Sequence, residues 1–183
     1  IACDDGRGNL YVGHDGKGMS VISLKDHTIK RYQHVSDDPD SLPGRLVVAL
    51  CVDEQRNIWV GTNKGLSIFN PATEKFTTFR HIPGDENSLL SNQVLDIKQM
   101  RDGRLWICTN MGGVSILDMQ QNAFTSPTHI HFQNIPATND VHGLSGPNAR
   151  CAFQDSFGNI WLGNYRGGVD FISYAQPIFN MLP

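Results

Sequence analysis

The chain has 183 residues, enough to bury a sizeable core, and a formal net charge of −3 at pH 7. It carries no basic block, so nucleic acid and anionic membrane surfaces are not expected partners. No apolar run is long enough to span a bilayer, and the chain opens at Ile1 without a signal peptide, as a mature product or an excised piece would.

In chain order the elements read as short strands between tight turns. Asp5-Gly6-Arg7-Gly8-Asn9 is a turn, and Leu10-Tyr11-Val12-Gly13 is the first clear strand. The second unit is the most legible. Leu46 to Val52 is an apolar run of strand length, and Asp53 to Asn57 is a turn. Ile58 to Thr62 is a second strand, and Asn63-Lys64-Gly65 turns into Leu66-Ser67-Ile68-Phe69. After Asn70 to Thr73, Lys75 to Phe79 alternates as a fourth strand. Four short strands joined by tight turns make an antiparallel meander.

The later units repeat this grammar, with Leu105-Trp106-Ile107-Cys108 and Ile160-Trp161-Leu162-Gly163 as their second strands. The aromatic stands at positions 11, 59, 106 and 161, a period that marks a repeat architecture. A glycine closes the following turn at Gly18, Gly65, Gly113 and Gly168. Ile29, Phe76, Phe124 and Phe179 mark the expected outer strands, and the third unit carries an insertion over 120–141. No segment has helical periodicity. The pattern predicts an all-β β-propeller of four-stranded antiparallel blades, about four in number, at approximately 1–35, 46–82, 93–133 and 149–181 of one region, 1–183. A solenoid of stacked β-repeats is the structural rival, though its repeats are usually shorter.

The four cysteines, Cys3, Cys51, Cys108 and Cys151, show no zinc spacing. Cys3 and Cys51 hold equivalent positions in neighbouring units, which are usually too far apart to bridge. All four are read as buried free thiols.

The phrase in residues 57–69 and 158–171, Gly/Arg-Asn-Ile-Trp-Val/Leu-Gly followed by a glycine turn, resembles the two-component regulator propeller repeat. Asp40-Ser41-Leu42 and Asn87-Ser88-Leu89 resemble the linker that precedes each unit. The chain departs from the pattern at Tyr11, Cys108 and Arg56, where Trp, Gly and Gly are usual. The resemblance implies the periplasmic sensor region of hybrid two-component regulators, known from Bacteroides. It implies a sector of a larger, seven-bladed propeller. It also implies downstream domains ending in a histidine kinase and receiver, and oligosaccharides as the usual signals.

Loops after the second and fourth strands of a meander leave by one face. That face is expected to gather His14, Asp15, Asn63, Lys64, Asn110, Asn164, Tyr165 and Arg166, together with linkers near 36–45, 83–92 and 138–148. An aromatic face suits a sugar ring, and polar groups suit its hydroxyls. Tyr165-Arg166 is the principal pair. The same residues also fit ordinary solvated turns.

Other constellations are weaker. His129 and His131 form a two-ligand metal candidate without a third ligand, and also fit an exposed strand edge. Asp37, Asp38, Asp40, Asp85 and Glu86 lack a calcium-loop pattern and read as polar linkers. Ser41, Ser88 and Ser91 lie in no nucleophile elbow. The mid-strand tryptophans read as packing between blades. No catalytic residue, cofactor or metal is expected. The leading function is a non-catalytic sensor module with an oligosaccharide ligand. Its partners are expected to be neighbouring blades, the parent's downstream domains and a second copy in a homodimer. A structural or interaction scaffold is the first alternative, and a polysaccharide lyase or glycosidase the second.

Overall fold

The computed structural model describes residues 1–120, 130–137, 144–174 and 179–182, the last of these by backbone alone. Its described residues form four antiparallel sheets, each a meander of four strands in sequence order. The first holds β1 (Ala2–Asp4), β2 (Asn9–Gly13), β3 (Met19–Ser23) and β4 (Ile29–Tyr32). The second holds β5 (Val47–Val52), β6 (Ile58–Thr62), β7 (Gly65–Asn70) and β8 (Lys75–Phe79). The third holds β9 (Val94–Gln99), β10 (Leu105–Thr109), β11 (Gly113–Leu117) and β12 (Phe132–Pro136). The fourth holds β13 (Ala149–Gln154), β14 (Ile160–Asn164), β15 (Gly168–Ile172) and β16 (Phe179–Leu182).

The third sheet differs from expectation. Its outer strand is β12, paired Gly113↔Pro136 through Leu117↔Phe132. The insertion therefore falls between β11 and β12 and displaces the strand expected around Phe124, which lies outside the described residues. Phe132, opposite Leu117, takes the buried outer-strand position that Phe76, opposite Phe69, holds in the second sheet.

The sheets are blades set side by side. The first strands β1, β5, β9 and β13 pack in that order, each against the blade before it. Three apolar cores fill the gaps between neighbours. The first joins Tyr11 and Met19 to Val47, Leu50 and Val60. The second joins Trp59, Leu66 and Phe79 to Val94, Ile97 and Ile107. The third joins Trp106, Cys108 and Ile116 to Ala149, Ala152 and Leu162. The repeating aromatic is thus packing, as read from its apolar neighbours. Tyr11, Trp59 and Trp106 are buried against the next blade, while Trp161 in the last blade is half-buried. Truncating such an aromatic in a core typically costs about 3–5 kcal/mol.

Glycine is required where β7 begins. Gly65 has φ +136°, and a Cβ there would stand 2.7 Å from the Phe79 carbonyl oxygen of the outer strand. A second device ties the blades at the opposite end. Gln99 accepts from Glu54 N at 2.7 Å while donating to Gly103 O at 3.1 Å. Gln154 does the same for Arg101 N and Gly158 O, at 2.8 and 2.9 Å. Between the first two blades Val52 stands at the glutamine position, and Arg56 supplies the tie instead. It occupies the left-handed turn position (φ 68°) where the repeat usually has glycine, and its guanidinium donates to Asp5 O at 2.7 Å. The sequence departure at Arg56 is a blade-to-blade contact.

The linkers after β4 and β8 are copies of one hydrogen-bonded loop. Ser41 Oγ accepts from Val35 N and donates towards Asp38 O, while His34 Nδ1 meets Leu42 O at 2.9 Å. Ser88, Ile82, Asp85, His81 and Leu89 repeat every contact. These serines are fixed in the backbone of the linker. Leu42 and Leu89 are its buried anchors, and Leu144 is buried after the third blade.

The four thiols are free, but only Cys108 is buried. Cys3 and Cys51 are half-buried, and Cys151 is exposed, against the expectation that all four are buried. Cys151 lies on the forward face of the last blade, with Phe153, Trp161 and Phe171. The same face in the other blades is covered by a neighbour. Phe153 is accordingly 63% exposed.

Candidate functional site

The turns after β2, β6, β10 and β14 and the incoming linkers meet at one end of the blades. Val47 N donates to His14 O, Asn63 N to Leu46 O, Asn110 N to Gln93 O and Tyr165 N to Asn148 O, at 2.9–3.3 Å. Each turn is therefore clamped by the segment that leads into an inner strand.

Three of the sequence candidates spend their side chains inside this clamp. His14 Nε2 meets Ser20 Oγ of the same blade at 2.8 Å. Asn110 Nδ2 donates to Gln93 Oε1 at 2.6 Å. Asn164 Nδ2 donates to the buried Asp170 carboxylate at 2.7 Å, which also accepts from Ser145 N at 3.1 Å. Asp170 replaces the serines Ser20, Ser67 and Ser115 of the other blades, and its burial is repaid by these donors. Asn164 Oδ1 is buried without a partner among the described residues.

The other five candidates, Asp15, Asn63, Lys64, Tyr165 and Arg166, are exposed. Asn63 lies against Gly44, where a Cβ would come 2.5 Å from its Oδ1. Lys64 O receives Arg80 Nε at 3.3 Å. Tyr165 is the exposed aromatic of the face, at 53%, and the Arg166 guanidinium carbon lies 5.2 Å from its ring centroid.

Sequence reasoning missed two residues here. Arg150 brings a second guanidinium to Tyr165, at 5.9 Å. It arrives through a β-bulge, because the β13–β14 register slips between Ala149 and Cys151. The same slip occurs between Val47 and Ala49, and opposite Cys108 and Thr109 in the third blade. Val48 and Leu95 hold the bulge position in those blades, so aligning the repeats exposes the change to arginine. Asn148 is the second. Its Oδ1 accepts from Met111 N at 2.8 Å and so joins the third and fourth turns.

Of the remaining candidates, His129 and residues 138–143 of the linker near 138–148 lie outside the described residues. Among the described residues no cluster of His, Cys, Asp and Glu could hold a metal ion. A cleft of about 570 Å³ lies between His81, Asp85 and Gln133, along the linker after the second blade. Asn134 spans it, donating to Glu86 O and Ser88 O at 2.8 Å, so it is an interior joint of linker and outer strand.

Four-stranded blades in a row, with their turns collected at one end, define a sector of a β-propeller. The repeat profile described as "Two component regulator propeller" matches residues 41–64 and 143–166, each running from a linker through to a clamped turn. Those two segments are two-component regulator propeller repeats. It is similar to the extracellular domain of the putative hybrid two component system BT3049 from B. thetaiotaomicron, with 39% identity and a TM-score of 0.75 over 94% of this chain and 20% of that one. The corresponding domain of BT4673 from the same organism gives 24% identity and a TM-score of 0.79, over 99% and 24% of the two chains. Virginiamycin B lyase from Staphylococcus aureus shares the fold alone, at 14% identity and a TM-score of 0.63, over 100% and 54%. The chain thus spans between a fifth and a quarter of the length of the two-component neighbours. No curated protein matches it. Among the described residues no helix is long and apolar enough to cross a membrane.

Proposed function

We propose that this chain is a non-catalytic part of the periplasmic sensor of a hybrid two-component signalling protein. Its task is to recognise oligosaccharide or polysaccharide fragments, and its output is control of carbohydrate-utilisation genes. The observation that carries the reading is Tyr165, an exposed aromatic held on a clamped turn of a rigid scaffold, with cationic donors beside it. A sugar ring packs its apolar face on such a side chain, and arginine donates to hydroxyl and acid oxygens. The identity of 39% to an extracellular two-component domain supports the signalling context. Binding would bias how the propeller and the domains after it pack, and that bias would reach a kinase. Titration of the complete sensor with a panel of glycan fragments, read by calorimetry and by phosphotransfer, tests this. Ligand binding without any change in phosphotransfer would reduce the role to binding alone, and no binding across the panel would refute it.

One observation favours a scaffold as the second reading. The forward face of the last blade carries Cys151 and Phe153 exposed and Trp161 half-buried, as a surface for a further blade or another chain would. Alanine at Tyr165 separates the readings, because an unchanged response in the complete sensor favours the scaffold.

A further inference from the structure

We propose that Tyr165, Arg150 and Arg166 form an anion subsite that selects acidic saccharides, whose carboxylate or sulfate group the two guanidiniums grip. This rests on the carbohydrate reading above and sharpens it to a class of ligand.

Three observations carry it. Both guanidinium carbons lie within 5.9 Å of one ring centroid, 5.2 Å for Arg166 and 5.9 Å for Arg150. That range is where a cation is drawn to an aromatic face, so the ring holds both side chains in place. Neither arginine forms a salt bridge with a carboxylate among the described residues, a state they share with Arg31, Arg45 and Arg80, so their charge is open to a ligand. Two like charges held against one ring repel each other, and an anion between them relieves that repulsion. Finally, Arg150 is placed by the bulge, a feature that re-aims a side chain, and it replaces the apolar Val48 and Leu95 of the other blades.

The chain as a whole is net negative, at −3. The clamped turns and linker ends bring Lys17, Arg45 and Lys64 to this face, with Asp15 as the acid in the turns and Asp37, Asp38, Asp40, Asp85 and Glu86 in the linkers. Chemistry then assigns the parts. The tyrosine ring takes the C–H face of a pyranose, and the planar arginine forks take two oxygens of one acid group. A lysine at either position would keep the charge and lose the fork.

The test is calorimetric titration of the intact protein with matched probes. Trigalacturonate is compared with its methyl ester, oligoglucuronates with their esters, and sulfated disaccharides with their unsulfated parents. Acidic members should bind, neutral partners should bind at least about tenfold more weakly, and affinity should fall with added salt. Arg150→Gln and Arg166→Gln should each cost about tenfold, the value expected for loss of one charge-assisted contact. Arg150→Lys should recover part of the loss, and Tyr165→Phe should retain binding while Tyr165→Ala does not. All three side chains are exposed, so these variants should keep the fold, which their near-UV circular dichroism checks. Preference for uronates or for sulfates identifies which acid is used. Equal or tighter binding of the neutral probes overturns the anion subsite and leaves the carbohydrate reading standing. Acidic binding untouched by both arginine variants also overturns it. Absence of binding by every probe sinks the two readings together.

Discussion

The Trp59 indole N–H donates to the Asp53 carboxylate at 2.9 Å, six residues back across the first turn of its blade. The same carboxylate holds Asn57 through its backbone and side-chain N–H groups at 2.8 and 2.7 Å. Asp155, Asn159 and Trp161 repeat the arrangement in the fourth blade. In the third blade Met100 and Arg104 replace the aspartate and asparagine. The backbone turn survives, with Met100 N on Arg104 O at 2.9 Å. The carboxylate is gone, and Trp106 Nε1 is buried without a partner.

This difference predicts unequal costs for one substitution. Trp→Phe removes the same apolar volume at positions 59 and 106, and both sites are buried. At 59 it also removes a hydrogen bond to a charged acceptor. At 106 it removes an unsatisfied donor. Trp59→Phe should therefore destabilise the protein by about 1.5 kcal/mol more than Trp106→Phe, or further. Urea unfolding of the two variants measures the difference, and equal losses would show that the indole bond contributes nothing net.

The same carboxylate makes the fourth blade sensitive to acid. Hydrogen bonds from Trp161, then Asn159 and Phe157, hold Asp155 below its ordinary value of 3.8. Asp5 moves the same way in the first blade, where burial opposes the shift and bonds from Asn9 and Arg7 outweigh it. A lowered folded value means stability that is fully present above 3.8 and lost as pH falls through the lowered value. Asp155→Asn should flatten the pH dependence of unfolding in that acid window. A variant whose acid limb matched the parent's would place the sensitivity at other carboxylates.

The blade grammar was legible because each strand needs alternation, each turn needs glycine or asparagine, and both recur at one spacing. The outer strand of the third blade was not. Phe124 and Phe132 both present an aromatic in a polar setting, and local pattern does not decide which one reaches β11. At the candidate face, the turns were legible and their hydrogen bonding was not. His14, Asn110 and Asn164 look like free polar groups in sequence, but their partners Ser20, Gln93 and Asp170 lie across a hairpin or in another segment. Arg150 was hidden because a bulge is a property of the pairing, which a single strand does not reveal.

Cys108 shows how one departure is absorbed by its neighbours. At the matching position a Cβ on Gly61 would lie 2.6 Å from Val94 Cγ1 and 3.2 Å from Ile97 Cδ1 of the next blade. In front of Cys108 the equivalent residues are Ala149 and Ala152, in the same core. The larger residue on one blade meets smaller ones on the other. Ala149→Val should then overpack this core and cost about 1–3 kcal/mol, and Cys108→Gly in the same chain should recover most of it. A double-mutant cycle reads the coupling, and additive losses would mean that the two positions do not share the space.

Thiol reactivity follows from the same stacking of blades. Burial pushes the Cys108 thiol far above its ordinary value and raises Cys51 as well. Cys3 is pushed up to about 11, by burial and then by Cys51, Asp5 and Asp4. The thiolate is the reactive form, so these three should resist alkylation at neutral pH. Cys151 is exposed on the open forward face, beside Phe153 and opposite Gly163 in β14. Iodoacetamide should label Cys151 first, with Cys108 modified only after unfolding, and peptide mass spectrometry over time separates the sites. In a longer natural chain, protection of Cys151 would report that a further blade covers this face. Labelling of Cys108 as fast as Cys151 would mean that the third and fourth blades part in solution, because Cys108 is sealed by Ala149 and Ala152 only while they are packed.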